Sequence, residues 1–532
     1  MMNWSQNDSP HGGLIVRLYA VGSMLLGTVI SITLPAQVAP PLHFSVDWSK
    51  TVVRSKTAPT LMMEVHPLLR TGHPLHDAAF SAIRELGAQY VRYHAQSFWP
   101  RLVVAELEQP TKDKTSWDFS KIDSIVIPFL EATKGHEPVL NFNTIPAWMF
   151  KTDKPVHYPD NPDQFIQSYA QGTELVDPSG HQLADYYARV VSWYTQGGFT
   201  DELGHYHASG YHYDLPWWEV LNEVQLEHQM TPQEYVTCYD AIVAAVHKVS
   251  PRTKFIGLAL ASMGASGSAR EPAFFEYFLN PKNHRPGIPL DMIAYHFYAI
   301  PSLVQTLDSW QYSFFDQADG FLNTVALIES IRQRLSPATR VDLDELGIIL
   351  PEYFLPRAEG KAIPPAYWNL SATLFAYLYV ELAKQGIDVV ATSQFLGDPK
   401  DNPGVVDPMG IDPNDSIPLI DWKSGKPNAR FCVLKLLNDN FGLGDRLVST
   451  QFDTVRGSDV EMQGSVTAKG KKLLVIDKRA TAVDISVGAV GRIRQVEVVD
   501  VDTGDHPPRT DQFSGEMLHL EPFAVAVARV ED

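Results

Sequence analysis

The chain predicts a (β/α)8 TIM barrel followed by a smaller C-terminal antiparallel β-sandwich, on three observations. Between residues 59 and 441, eight short apolar runs alternate with stretches of helical period, the pattern of parallel βα units. No GxGxxG turn follows the first run, which sets aside a doubly wound open sheet. From residue 442 to 532 the pattern changes to short β-runs separated by turn residues, as in a sandwich.

Taken in order, residues 1–39 read as a signal peptide or signal anchor. The run 18–34 (LYAVGSMLLGTVISITL) carries no charge, follows Arg17 and precedes Pro35 and Ala36. It is shorter than the roughly 20 apolar residues of a spanning helix. The expectation is an exported chain, secreted or periplasmic, touching membrane only if this segment stays uncleaved. Residues 40–58 hold one β-run, 44–53, expected to join the sandwich.

The eight barrel strands are predicted at 60–66, 89–94, 137–143, 215–222, 254–260, 290–297, 340–346 and 388–395. Helices are predicted at 75–86, 120–133, 183–194, 232–249, 273–279, 323–335, 367–384 and 428–438. The fourth has a complete start signal: Thr231 caps, Pro232 fits the first turn, and Glu234 closes a capping box. Sandwich runs follow at 472–477, 482–487, 495–501 and 523–529.

The bulk properties restrict function. The chain has 532 residues, too many for one ordinary domain, with 45% hydrophobic and 20% charged residues. A net charge of −19 repels phosphate backbones and anionic lipid, so nucleic acid is not an expected partner. Cys238 and Cys432 stand far apart without CxxC spacing, which excludes a disulfide scaffold or a cysteine zinc site. No metal or cofactor is expected.

In a barrel enzyme, reactive groups gather where strands end at the carboxyl face. The fourth run ends in Asn222-Glu223, the sixth in His296-Phe297-Tyr298, and the seventh in Asp344-Glu345. Two carboxylates facing each other across the mouth suit double displacement at a sugar. One protonates the leaving oxygen while the other attacks the anomeric carbon. Strand alternation alone does not choose between Asp344 and Glu345.

The segments PWWEVLNEV (216–224), AYHFYA (294–299) and VDLDELG (341–347) resemble the clan of retaining glycosidases with catalytic glutamates on barrel strands four and seven. Glycoside hydrolase family 39 is the most similar, and 419–440 and the trailing β-runs extend the resemblance. It implies Glu223 as acid/base, Glu345 as nucleophile, and Asn222 bonded to the sugar 2-hydroxyl. His296 and Tyr298 would line the site, one of them orienting the nucleophile. The implied substrates are xylosides, arabinosides or uronides. Two departures stand out: Val224 replaces the proline that often follows the acid/base, and Gln394-Phe395 lies where a tryptophan is common. A transglycosylase using the same pair, and a glycan-binding barrel without catalysis, are the alternatives.

His94, Asn143, Trp148 and Gln394 are further candidates for sugar contact; Glu64, His66 and Asn141 are weaker ones. One of Trp217 and Trp218 is expected to pack outward under a helix. His205, His207 and His212 have metal-like spacing but read as a solvated loop. The acidic stretch 398–415 lacks the alternation of a calcium loop, and 264–267 (GASG) lacks the frame of a nucleophile elbow.

Overall fold

The computed structural model describes residues 42–96, 98–164, 172–261, 271–300, 306–349, 363–397, 417–422, 424–452 and 459–531. The apolar run 18–34 and the readings at 264–267 and 398–415 lie outside the described residues. Among the described residues, no helix is long and apolar enough to cross a membrane.

Eight parallel strands close into a barrel in sequence order. They are Ala58–Glu64, Tyr90–Ala95, Glu137–Phe142, Trp217–Glu219, Lys254–Leu260, Met292–Ala299, Arg340–Ile348 and Val389–Thr392. Side chains alternate across each strand. On the second, Val91, Tyr93 and Ala95 join the core under the helices, while Tyr90 joins the barrel floor. Trp217 fills that floor with Val139, Ile256 and Met292. Trp218 points outward and stacks on Phe142 with ring centroids 5.6 Å apart, as one of the two tryptophans must.

The helices follow the predicted periods. Pro232–Val249 begins with the full capping box: Thr231 accepts from the Glu234 amide, and Glu234 accepts from the Thr231 amide at 2.8 Å. Leu307–Leu335 is 29 residues long and starts well before the predicted 323. Its first half buries Trp310, Phe314, Phe315, Ala318 and Phe321, a helical stripe obscured in the sequence by Gly320 and interspersed aspartates.

Apart from a two-stranded hairpin, Gly198–Thr200 with Tyr206–Ala208, the remaining described strands form one nine-stranded, mostly antiparallel sheet that includes Leu42–Arg54. That strand also pairs in parallel with Val483–Ser486. Both faces of its central strands are apolar. Leu473 and Val475 pack into the sandwich core, whereas Leu474, Ile476, Val525 and Val527 pack into the barrel's helical core. Thr373, on the helix Ala366–Gln385, donates to the Phe523 carbonyl across the same contact at 2.8 Å. The strands Arg446–Phe452, Val460–Thr467, Arg509–Gln512 and Met517–Leu520 add to those predicted.

Candidate active site

Residues at the ends of strands four and seven converge on one group of strand two, Arg92. It lies within the barrel and is almost fully buried. Its guanidinium donates to Glu219 Oε2, Glu345 Oε1 and Asn222 Oδ1, each at 2.6 Å, and lies 3.1 Å from Asp344 Oδ2. A planar fork with several fixed donors suits such a cluster, and one lysine nitrogen would not.

Strand seven departs from simple alternation. Between Asp342 and Glu345 the pairing to strand six shifts register, so that Leu343 and Asp344 face the single residue Tyr295. This β-bulge turns two consecutive carboxylates inward. Asp344 reaches Arg92 and, at 3.4 Å, His296 Nε2; Glu345 reaches Arg92 and Tyr298. Strand four departs too. Leu221 and Glu223 have φ of 63° and 43°, left-handed values that cost roughly 1–3 kcal/mol apiece in a non-glycine residue. These turns bring Asn222 and Glu223 to the mouth.

There the two glutamates meet. Glu223, His296 and Glu345 each present one oxygen or nitrogen, and these three atoms lie within 4.8 Å of one another. His296 Nδ1 is 2.9 Å from Glu223 Oε1 and 3.5 Å from Glu345 Oε2. The Tyr298 hydroxyl is 2.7 Å from Glu345 Oε2 and 2.5 Å from Ser393 Oγ. Glu223 keeps 19% of its side-chain surface exposed and Glu345 only 6%, so the former faces the opening and the latter lies deeper.

The electrostatics separate these groups. Burial works against the Glu345 carboxylate, but the charged His296 and Arg92 outweigh it and hold its pKa below the ordinary range. Burial likewise opposes a charged His296, yet Glu345 and Asp344 raise its pKa well above the ordinary value. Burial also raises the Tyr298 phenol, with Glu345 adding to the effect, so Tyr298 remains a donor. Beneath them, burial pushes Glu219 well above the carboxylate range against the pull of Arg92. Arg92 and His296 overcome burial at Asp344 and lower it. Glu219 therefore holds a proton while Asp344 and Glu345 are anions.

The other predicted residues fall into distinct roles. Asn143 commits both ends of its amide to protein: Oδ1 accepts from the Asn222 amide at 2.8 Å, and Nδ2 donates to Glu227 Oε2 at 2.5 Å. Burial pushes His94 down to about 3, so it is a neutral imidazole on strand two. Trp148 donates its indole N–H to the Glu106 carbonyl at 2.9 Å, anchoring it to the segment after strand two. Gln394 is buried beyond strand eight, after a cis Ser393-Gln394 bond. Glu64 accepts the amides of Phe395 and Leu396 at 3.0 and 2.6 Å, pinning strand one to the end of strand eight. Asn141 supports Glu219 with a 2.6 Å hydrogen bond. His205 and His207 both face Asp201, at 3.6 and 3.0 Å, on the short hairpin that precedes strand four.

Glu223, His296 and Glu345 are the ligand-capable cluster among the described residues. Arg92 and Tyr298 already hold both oxygens of Glu345. A cation on one side and a hydroxyl donor on the other suit a carboxylate that attacks carbon better than one that binds metal.

Neither a protein-family model nor a curated protein sequence matches the chain. Solved structures do. The family 51 arabinofuranosidase of Xanthomonas axonopodis pv. citri aligns with a TM-score of 0.60 at 11% identity, over 92% of this chain and 100% of that one. The family 51 α-L-arabinofuranosidase of Bifidobacterium longum aligns with a TM-score of 0.60 at 10% identity, over 92% and 99%. A family 39 β-xylosidase of Caulobacter crescentus aligns with a TM-score of 0.56 at 14% identity, over 93% and 100%. Across nearly its whole length, the chain has the barrel-and-sandwich fold of these glycosidase structures.

Proposed function

We propose that this protein is a retaining glycoside hydrolase acting on neutral pentosides, xylosides or arabinosides, of plant or microbial polysaccharide. The observation that carries the reading is the carboxylate pair. Oxygens of Glu223 and Glu345 lie within 4.8 Å, and a separation of roughly 5–5.5 Å corresponds to retention with a covalent intermediate.

Glu345 attacks the anomeric carbon while Glu223 gives a proton to the departing oxygen. Glu223 then takes a proton from water, which attacks the same carbon and releases Glu345. Arg92 and Tyr298 hold the two oxygens of Glu345, which fixes the line of attack and favours the carboxylate as leaving group. Asn222 is assigned to the sugar 2-hydroxyl. Among the described residues, the arginine in contact with Glu345 is Arg92, and its commitment to four acceptors favours a neutral sugar over a uronide. The arabinofuranosidase and xylosidase structures that share the fold agree with a pentoside. The apolar run 18–34 is assigned to export.

The test is turnover of 4-nitrophenyl xyloside and arabinofuranoside by wild type, Glu223→Ala and Glu345→Ala. Each substitution is expected to lower kcat by at least about 10³-fold. Azide should rescue Glu345→Ala with inverted configuration and Glu223→Ala with retained configuration. Full turnover by either variant refutes the assignment.

A further inference from the structure

Glu227 lies four residues beyond Glu223 and is buried. Its Oε2 accepts from Asn143 Nδ2 at 2.5 Å, and its Oε1 accepts from Asn222 Nδ2 at 3.3 Å. Asn143 closes the loop by accepting the Asn222 backbone amide at 2.8 Å. On the opposite side, Arg92 donates to Asn222 Oδ1 at 2.6 Å. The Asn222 side chain is thus held from both ends, its oxygen by a cation and its nitrogen by a carboxylate. Such charge-assisted bonds fix which way an amide faces. One N–H of Asn222 is used on Glu227, and the other is left for a ligand.

The backbone around this clamp resists its own conformation. Leu221, Glu223 and Gln229 all have left-handed φ, 63°, 43° and 51°, and none is glycine. Left-handed residues of this kind persist where surrounding bonds over-determine them. The amides of Leu226 and Glu227 both donate to the Glu223 carbonyl at 2.8 Å, and the Glu227 side chain ties the turn back to Asn143, just beyond strand three. The turn that carries the acid/base is thus held by backbone bonds that do not need the Glu227 side chain, whereas the Glu227 carboxylate restrains the residue assigned to the 2-hydroxyl.

We propose that Glu227 is a positioning residue that acts through Asn222. By holding that amide it makes turnover depend on a hydroxyl at C2 of the sugar, so the preferred substrates are glycosides with a free 2-hydroxyl. The link to C2 rests on the glycosidase reading above; the clamp itself does not.

The experiment compares wild type, Glu227→Gln and Glu227→Ala on a 4-nitrophenyl pentoside and on its 2-deoxy counterpart. Loss of a charge-assisted hydrogen bond corresponds to about a 10–100-fold change. Glu227→Ala is expected to lose that factor in kcat on the 2-hydroxy substrate and less than about threefold on the 2-deoxy one. Glu227→Gln, which keeps one acceptor oxygen, is expected to fall between. Equal losses on both substrates overturn the proposal, because a merely structural defect does not distinguish them. Crystal structures of wild type and Glu227→Ala form a second arm that needs no turnover, and the Asn222 amide is expected to leave its place in the variant. An unmoved Asn222 overturns the positioning role even where the enzyme is active. A displaced Asn222 in a protein inert towards both substrates supports the clamp and refutes the glycosidase reading instead.

Discussion

Replacing Arg92 with lysine keeps the charge and removes the fork. Three hydrogen bonds of 2.6 Å radiate from the guanidinium to Glu219, Glu345 and Asn222, and one ammonium cannot reach three acceptors in three directions. At least two are lost. Each involves a charged group and contributes roughly 1.5–3 kcal/mol, so the expected destabilisation is about 3–6 kcal/mol, close to the roughly 3–5 kcal/mol of breaking a buried ion pair. That is a large part of the roughly 5–15 kcal/mol by which folded proteins are stable. Activity changes with a defined sign as well. Arg92 is among the groups that hold Glu345 below the ordinary carboxylate range. A poorly placed cation lets that pKa rise, and the acid limb of the pH–rate profile moves to higher pH. The assays are urea unfolding and kcat/KM from pH 3 to 9. A variant with the wild-type urea midpoint and an unmoved acid limb would refute this account of Arg92.

Tyr298→Phe removes the hydroxyl 2.7 Å from Glu345 Oε2 and should lower kcat about 10–100-fold with little change in KM; steady-state kinetics at saturating substrate would show otherwise. Burial, helped by Glu202, pushes Glu106 from 4.5 up to about 8. Its neutral form contributes stability that is complete below about 4.5 and lost as pH rises through about 8. Glu106→Gln stays neutral, so thermal melts at pH 5, 7 and 9 should show the variant gaining on wild type as pH rises, and parallel curves would exclude this effect.

The fold was legible because its hydrophobic periods are strong. The fifth strand was read at its observed bounds, Lys254–Leu260, and the fourth major helix, Pro232–Val249, carries its own start signal. The site was legible in outline and not in detail. Alternation could not choose between Asp344 and Glu345, since the bulge that turns both inward arises from pairing with strand six. The left-handed turns at Leu221 and Glu223 likewise leave no mark in the residue types. Arg92 was missed although it lies two residues before His94 on a strand already recognised. The signal was available: a charged residue on the inward face of a barrel strand requires partners, and the aligned positions of Glu219 and Asp344 could have supplied them. Nothing in the sequence marks Glu227, because its importance comes from Asn143, 84 positions away.

The two-faced sheet has a practical consequence. Leu474, Ile476, Val525 and Val527 belong to the same core as the helices Ala366–Gln385 and Ala429–Asn440. The C-terminal part is therefore no detachable module of the kind that can be trimmed away to leave a working catalytic fragment. Cutting the gene near codon 442 would strip the covering from two barrel helices and leave a greasy wall facing water. Engineers seeking a smaller enzyme from this scaffold would do better to shorten loops than to remove the sheet.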